Sequence, residues 1–130
     1  MKIKLTNAEY KIMETIWENG DMKAADLRKQ MAAENGWPEG STRAAISNCI
    51  KKGYIERIDP GYWCHASVSK EEVGGDEIRG VLRRIFDNSP TKFFASFADN
   101  AELTLEDCRE IRKCLELMEQ KGMQEKGRNE

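Results

Sequence analysis

A short amphipathic helix followed at once by two β-type segments is the feature that most constrains this chain. Residues 41–52, STRAAISNCIKK, have a helical pattern that Gly53 can end. Two β-type segments follow at residues 54–59 and 62–68, and the pair Pro60-Gly61 can form the turn between them. A helix followed by a small hairpin is typical of a winged helix-turn-helix, which presents a recognition helix and a wing to DNA. We therefore predict a gene regulator rather than an enzyme.

Two more helices are predicted before this segment. In the first, Thr6 and Glu9 have the spacing of a capping box, and Gly20 can end the helix. The second is predicted at residues 24–33, with Leu27 and Met31 as an i, i+4 core pair. The prediction for residues 1–69 is thus a winged-helix DNA-binding domain, mainly α with a small β-hairpin.

The second half of the chain has a helical pattern throughout. Ser69 and Glu72 form a second capping-box spacing, Ser89-Pro90 is a helix start, and Thr104 can cap a last helix that Gly122 is expected to end. We predict a helical dimerisation domain over residues 70–122. Residues 123–130 are polar, and a disordered tail is predicted there.

Aromatic residues in the second half predict a dimer interface. Four phenylalanines lie within twelve residues, which is more aromatic surface than three small helices can easily enclose. One interpretation is that they pack onto the first half as one larger core. The interpretation we favour is a two-fold dimer with a shared core. Its predicted residues are Phe86, Phe93, Phe94 and Phe97, together with Ile111, Leu115 and Met118 on the last helix.

The charge distribution is compatible with DNA binding but does not favour it strongly. The net charge is −2. Residues 1–68 carry ten Lys/Arg and nine Asp/Glu, a formal +1, and residues 69–130 carry eleven and fourteen, a formal −3. Because +1 is a weak field, one copy should hold DNA poorly, whereas two copies on one duplex would add their phosphate contacts.

The outward face of the third helix and the hairpin supply the candidate DNA contacts. Ser41 is predicted to cap the helix, and Arg43 is the candidate base reader, since its guanidinium can pair with guanine O6 and N7. A phosphate contact is the open alternative for Arg43. Lys51 and Lys52 could instead interact with the helix dipole. The full predicted set is Ser41, Thr42, Arg43, Ser47, Asn48, Lys51, Lys52 and Arg57.

Other classes of function have little support in the sequence. The only histidine is His65, on the predicted hairpin, and no phosphate loop, dinucleotide fingerprint or metal motif occurs. We therefore expect no catalysis, no cofactor and no metal. Cys49, Cys64, Cys108 and Cys114 are expected to be reduced and semi-buried. No apolar run approaches ~20 residues and no secretory signal is evident, so we expect a cytoplasmic protein without membrane insertion.

Four segments in order resemble the penicillinase-repressor family, the BlaI/MecI/CopY-type regulators. They are LTNAEYKIMETIWENG, KKGYIER, HASVSKEE and FDNSPTKFFASFADNAELTLEDCREI, within about residues 4–120. The resemblance implies a homodimeric winged-helix repressor of palindromic operators. It also implies proteolytic induction: a membrane sensor-protease would trigger cleavage near the Ser96-Phe97 bond.

The chain departs from the family pattern on the recognition helix. Ser41, Thr42, Arg43 and Ala44 stand where the family typically has Thr-Val-x-Thr, and Asn48 aligns with a family Arg. Ser96 stands where cleaved members have Asn. The altered helix and the near-neutral first half keep one alternative open, a winged-helix module that binds protein rather than DNA. Salt-dependent binding to promoter DNA distinguishes the two.

Overall fold

The computed structural model describes the backbone of residues 2–129 and the side chains of residues 2–123. Within this described part, six helices and three short strands follow one another in the order α1 Asn7–Asn19, β1 Met22–Lys23, α2 Ala24–Asn35, α3 Glu39–Lys51, β2 Ile55–Ile58, β3 Trp63–Ala66, α4 Lys70–Ile85, α5 Pro90–Asn100 and α6 Leu105–Asn129. The predicted mainly α fold with a small β-hairpin is confirmed. None of the helices described here is long and apolar enough to cross a membrane.

Helix α1 begins and ends where the sequence predicts. The Thr6 hydroxyl accepts a hydrogen bond from the backbone N–H of Glu9 at 3.2 Å. Gly20 follows the helix with φ +80° and ψ −168°, a conformation that is essentially restricted to glycine. The capping-box role predicted for the Glu9 side chain is wrong. That side chain is only 2% exposed, and Lys52 Nζ donates to its two carboxylate oxygens at 2.7 and 2.8 Å.

Helix α3 begins earlier than the sequence predicts. Pro38 is its N-cap and Glu39 its first residue, so Ser41 lies inside the first turn and does not cap the helix. The Pro38 carbonyl accepts hydrogen bonds from the backbone N–H groups of Ser41 at 3.1 Å and Thr42 at 3.2 Å. Proline suits this position for two reasons. Its φ is fixed, here at −60°, and the backbone N–H that proline lacks would have no partner within the helix at its start.

The predicted hairpin is present and belongs to a three-stranded antiparallel sheet. Strands β2 and β3 pair with Arg57 opposite Cys64. Strand β1, which the sequence analysis missed, pairs with the other side of β3, with Met22 opposite Cys64, so the order is β1-β3-β2. In the turn, Gly61 has φ +102°, and a Cβ there would lie 3.2 Å from the Trp63 indole nitrogen.

One apolar core holds α1, α2, α3 and the sheet together. The predicted pair Leu27 and Met31 is fully buried in it, as are Cys49 of α3 and Cys64 of β3. Burial raises the pKa of the Cys49 thiol to about 12 and that of Cys64 to about 11. Cys108 and Cys114, by contrast, are exposed, so the semi-buried prediction is wrong for these two.

The chain divides into two compact units, Met1–Val81 and Leu82–Glu130. Most of α4 therefore belongs to the first unit, whereas the predicted division lies at residue 69. Within the second unit, the predicted caps are present: the hydroxyls of Ser89 and Thr104 accept backbone N–H groups at 3.2 and 3.0 Å. The prediction that Gly122 ends α6 is wrong, because the helix continues to Asn129. The predicted disordered tail is thus helical as far as Asn129; its side chains from residue 124 onward, and residue 130 itself, lie outside the described residues.

Candidate nucleic-acid interface

One face of α3 is held by the core and the opposite face is open to solvent. Ala45, Ile46 and Cys49 are buried, because they point into the core with α1 and α2. The other face carries side chains of the predicted DNA-contacting set: Ser41, Arg43, Asn48 and Lys51 are exposed and Ser47 is half-buried. A rigidly backed, polar and exposed helix face has the form that base reading in a major groove requires.

Thr42 does not belong to this exposed face. Its side chain is fully buried, and its hydroxyl donates to the Pro38 carbonyl at 3.4 Å. Thr42 therefore offers no exposed atom for the predicted DNA contact. Because α3 begins at Glu39, Thr42 lies within the helix. It is one turn before Ile46 on the same buried stripe.

Arg43 is not a free cation on the helix surface. Its Nη2 donates to Glu39 Oε1 at 2.8 Å, one turn earlier on the same helix. Arg28 Nε from α2 lies 3.4 Å from the same Glu39 oxygen. Arg28, Arg43, Ser47 and Tyr62 contribute to the lining of a groove of about 400 Å³ between α2, α3 and the turn of the hairpin.

Arg28 is a candidate contact that the sequence analysis missed. It follows the core residue Leu27 on α2, and its side chain is 23% exposed. In the sequence pattern of α2 alone, Arg28 is one of several polar residues beside the apolar stripe. Only the packing of α2 against α3 brings it next to Glu39 and Arg43, and a pattern within one helix carries no signal of that contact.

The tip of the hairpin places cations against aromatic rings. The Arg57 guanidinium lies 3.6 Å from the centroid of the Tyr62 ring, and its Nε donates to Asp59 Oδ2 at 3.0 Å. Lys23 Nζ lies 5.4 Å from the centroid of the Trp63 ring. Arg57 and Trp63 are both exposed. The rings restrict where the two charges can lie while leaving them accessible to a phosphate.

Lys52 is positioned differently from the other predicted cationic contacts. Besides the two bonds to Glu9, its Nζ donates to the Lys4 carbonyl at 3.4 Å. The hydrogen bond to the Glu9 carboxylate raises the pKa of Lys52. Its ammonium neutralises a buried carboxylate and fixes the end of α3 against the start of α1. A structural role thus accounts for Lys52 better than the predicted phosphate contact.

The residues predicted for a dimer interface all lie in the second unit. Phe86 and Phe93 pack edge-to-face at 5.5 Å, and Phe93 and Phe97 stack at 6.3 Å. No side chain among residues 82–123 is buried in the single chain. The other members remain largely accessible: Phe94 is 41% exposed, Phe97 39%, Leu115 45% and Met118 68%, while Ile111 is half-buried.

The predicted cleavage site lies on α5. Ser96 is half-buried and Phe97 is exposed, and the Ser96 carbonyl accepts a hydrogen bond from Asn100 Nδ2 at 2.8 Å. The Ser96-Phe97 bond thus lies within regular helix. A protease would have to unwind this turn before it could bind the bond in an extended form.

Comparison with known proteins agrees with this geometry. A family model described as Penicillinase repressor matches residues 5–117. The methicillin resistance regulatory proteins MecI of Mammaliicoccus sciuri and of Staphylococcus aureus strain N315 are each 18% identical over 114 residues, which cover 86% of this chain and 93% of theirs. Among solved structures, the DNA-binding domain of the repressor BlaI has a TM-score of 0.51 at 16% identity, over 55% of this chain and 90% of that one. This structural likeness confirms the winged-helix fold.

Proposed function

We propose that this chain, which belongs to the penicillinase repressor family and is a transcriptional repressor, binds a palindromic operator as a homodimer. The observation that carries the proposal is the exposed polar face of α3, backed by the core and flanked by the hairpin. A face of this kind can enter a major groove while the hairpin contacts the neighbouring backbone.

In the proposed complex, the exposed residues of α3 make different kinds of contact with DNA. Arg43 reads a base, since a guanidinium can make two hydrogen bonds to guanine. Lys51 and the side chains of Ser41, Ser47 and Asn48 contact phosphates or base edges. Arg57, held over Tyr62, contacts the backbone from the hairpin. Contacts to phosphate fix the orientation of the protein, and only the base contacts select a sequence.

The exposed apolar side chains of the second unit support this proposal. Four phenylalanines and the apolar residues of α6 are exposed or half-buried in one chain, and a second copy would remove them from water. A two-fold dimer also presents two copies of α3, which suits a palindromic site. The weak charge of the first half makes the second copy important, because phosphate contacts of both copies then add.

Proteolytic induction is a further part of the proposal, with a membrane sensor-protease as the partner. Cleavage of the Ser96-Phe97 bond would separate Phe93 and Phe94 from Phe97, and these rings contact each other across that bond. Loss of these contacts would weaken a dimer core built on them. Mass spectrometry of the protein co-produced with such a protease would locate the cut; intact protein in the presence of an active protease would contradict this part alone.

Binding of Arg43→Ala to a duplex library tests the reading role. We expect a loss of about 1–3 kcal/mol on the selected sequence and relaxed preference at one base pair. Lys11→Gln, which removes a charge from α1 outside the candidate interface, is the matched control and should leave the preference unchanged. An equal loss on every sequence would contradict base reading by Arg43. Absence of salt-dependent preference for any duplex would reject the proposed function and favour a protein-binding module.

A further inference from the structure

Glu39 lies between two arginines that come from different helices. Its Oε1 accepts from Arg43 Nη2 at 2.8 Å and lies 3.4 Å from Arg28 Nε. A pair at i, i+4 on one helix is common, but here the Arg28 guanidinium from α2 also approaches the same oxygen. The two guanidinium groups can bind an oxyanion, and here that oxyanion is the carboxylate of Glu39 itself.

We propose that Glu39 occupies the phosphate site of Arg28 on the DNA-reading face, beside the base-reading Arg43, and thereby limits non-specific DNA binding. This inference rests on the proposed function. Guanidinium groups bind carboxylates and phosphate diesters through the same N–H donors. Ser47 and Tyr62 also line the groove, and each has a hydroxyl that can donate to a phosphate oxygen. The ligand of the site is therefore a phosphate of the duplex backbone.

Replacing the Glu39 carboxylate with a DNA phosphate gains little binding free energy. Both anions carry one negative charge, so Arg28 has one anionic partner before and after binding. The displaced Glu39 carboxylate remains on the first turn of α3, close to the incoming phosphate, and repels it. Non-specific binding depends almost entirely on phosphate contacts and should be weakened most. Binding to the operator also includes base contacts, so Glu39 increases the ratio of specific to non-specific affinity.

The test compares Glu39→Gln with wild type on two probes, a random-sequence duplex of about 30 base pairs and the best duplex selected from a library, with fluorescence anisotropy at 50–200 mM salt. Releasing one arginine to a phosphate should steepen the salt slope by ~0.9, so that the loss of affinity over this range is about three- to fourfold greater. The random duplex should gain more affinity than the selected one, because its binding depends almost entirely on phosphate contacts.

Glu34→Gln is the matched control. Glu34 is exposed near the end of α2 and accepts from Gln30 at 3.2 Å, away from the arginine pair, and its replacement changes the net charge equally. A second control is Glu39→Gln in an Arg28→Gln, Arg43→Gln background, where the gain should fall to that of Glu34→Gln. Thermal unfolding of each protein establishes that it is folded, and Glu39→Ala repeats the measurement with a side chain that cannot bind either arginine.

Three outcomes would overturn the inference. An equal gain in Glu34→Gln would mean that only net charge matters. An unchanged salt slope in Glu39→Gln would mean that Arg28 does not reach a phosphate. A loss confined to one base pair of the selected duplex would mean that Glu39 itself reads a cytosine. Failure of the proposed function is distinguishable, because wild type would then show no salt-dependent preference between the two duplexes.

Discussion

The exposed aromatic residues of the second unit lead to a quantitative prediction for Phe97→Asp. In the single chain Phe97 is 39% exposed, and it contacts Phe93 and Phe94 through ring centroids 6.3 Å away in each case. If two copies pack through this surface, the exposed part of the ring is removed from water in both. The substitution should therefore shift the protein from dimer to monomer.

The size of the effect follows from the exposed area. A phenylalanine has ~150–250 Å² to bury, of which 39% leaves ~60–100 Å² still accessible in one chain. At ~25 cal/mol per Å² this is ~1.5–2.5 kcal/mol per copy. Two-fold symmetry counts it twice, so the dimer loses ~3–5 kcal/mol, or roughly a hundredfold to a few thousandfold in Kd.

Sedimentation equilibrium over nanomolar to micromolar protein measures this change. Ala95→Asp is the matched control, since it places the same carboxylate on the same helix about 200° away from Phe97 and Phe93. It should leave the dimer Kd within a few-fold of wild type. Wild-type protein that is monomeric at micromolar concentration would refute the reasoning, as would a Phe97→Asp dimer of unchanged Kd.

Two further predictions concern the first unit. Lys52→Gln should lower the stability to urea far more than the control Lys51→Gln, because it leaves the Glu9 carboxylate buried without its cation; equal stability of the two variants would show that the pair is unimportant. Ellman's reagent at pH 8 should react quickly with only two of the four thiols of native protein and with all four in denaturant. The slow pair is Cys49 and Cys64, since burial raises their pKa to about 12 and about 11, and rapid reaction of four native thiols would contradict this.

The parts of the fold that the sequence predicted are those set by neighbouring residues. Thr6, Ser89 and Thr104 each accept a hydrogen bond from an N–H three residues ahead, so a four-residue pattern suffices to find them. The hairpin is likewise marked by its turn, Pro60-Gly61, between two β-type segments. These local signals located every described helix within a few residues at its start.

The errors arise where contacts between distant residues decide the outcome. The spacing of Thr6 and Glu9 indicates a capping box, but Lys52, 43 residues away from Glu9 in sequence, binds that carboxylate instead. Strand β1 has two residues, too few for an alternating pattern, and exists only because β3 offers a free edge. Arg28 joins the candidate interface solely through the packing of α2 against α3.

The charges on the proposed reading surface show why a dimer matters for such a near-neutral domain. Three of the four cationic side chains predicted to contact DNA already have a carboxylate partner: Arg43 with Glu39, Lys52 with Glu9, and Arg57 with Asp59. A phosphate must compete with these partners, whose charges are part of the formal +1 of residues 1–68, so each of these cations attracts DNA only weakly. One copy then gains little from random DNA. When two copies both make their base contacts, the binding free energy of those contacts is gained twice. Because carboxylates compete with phosphates for the cations, the protein binds the duplex tightly only in this sequence-specific arrangement.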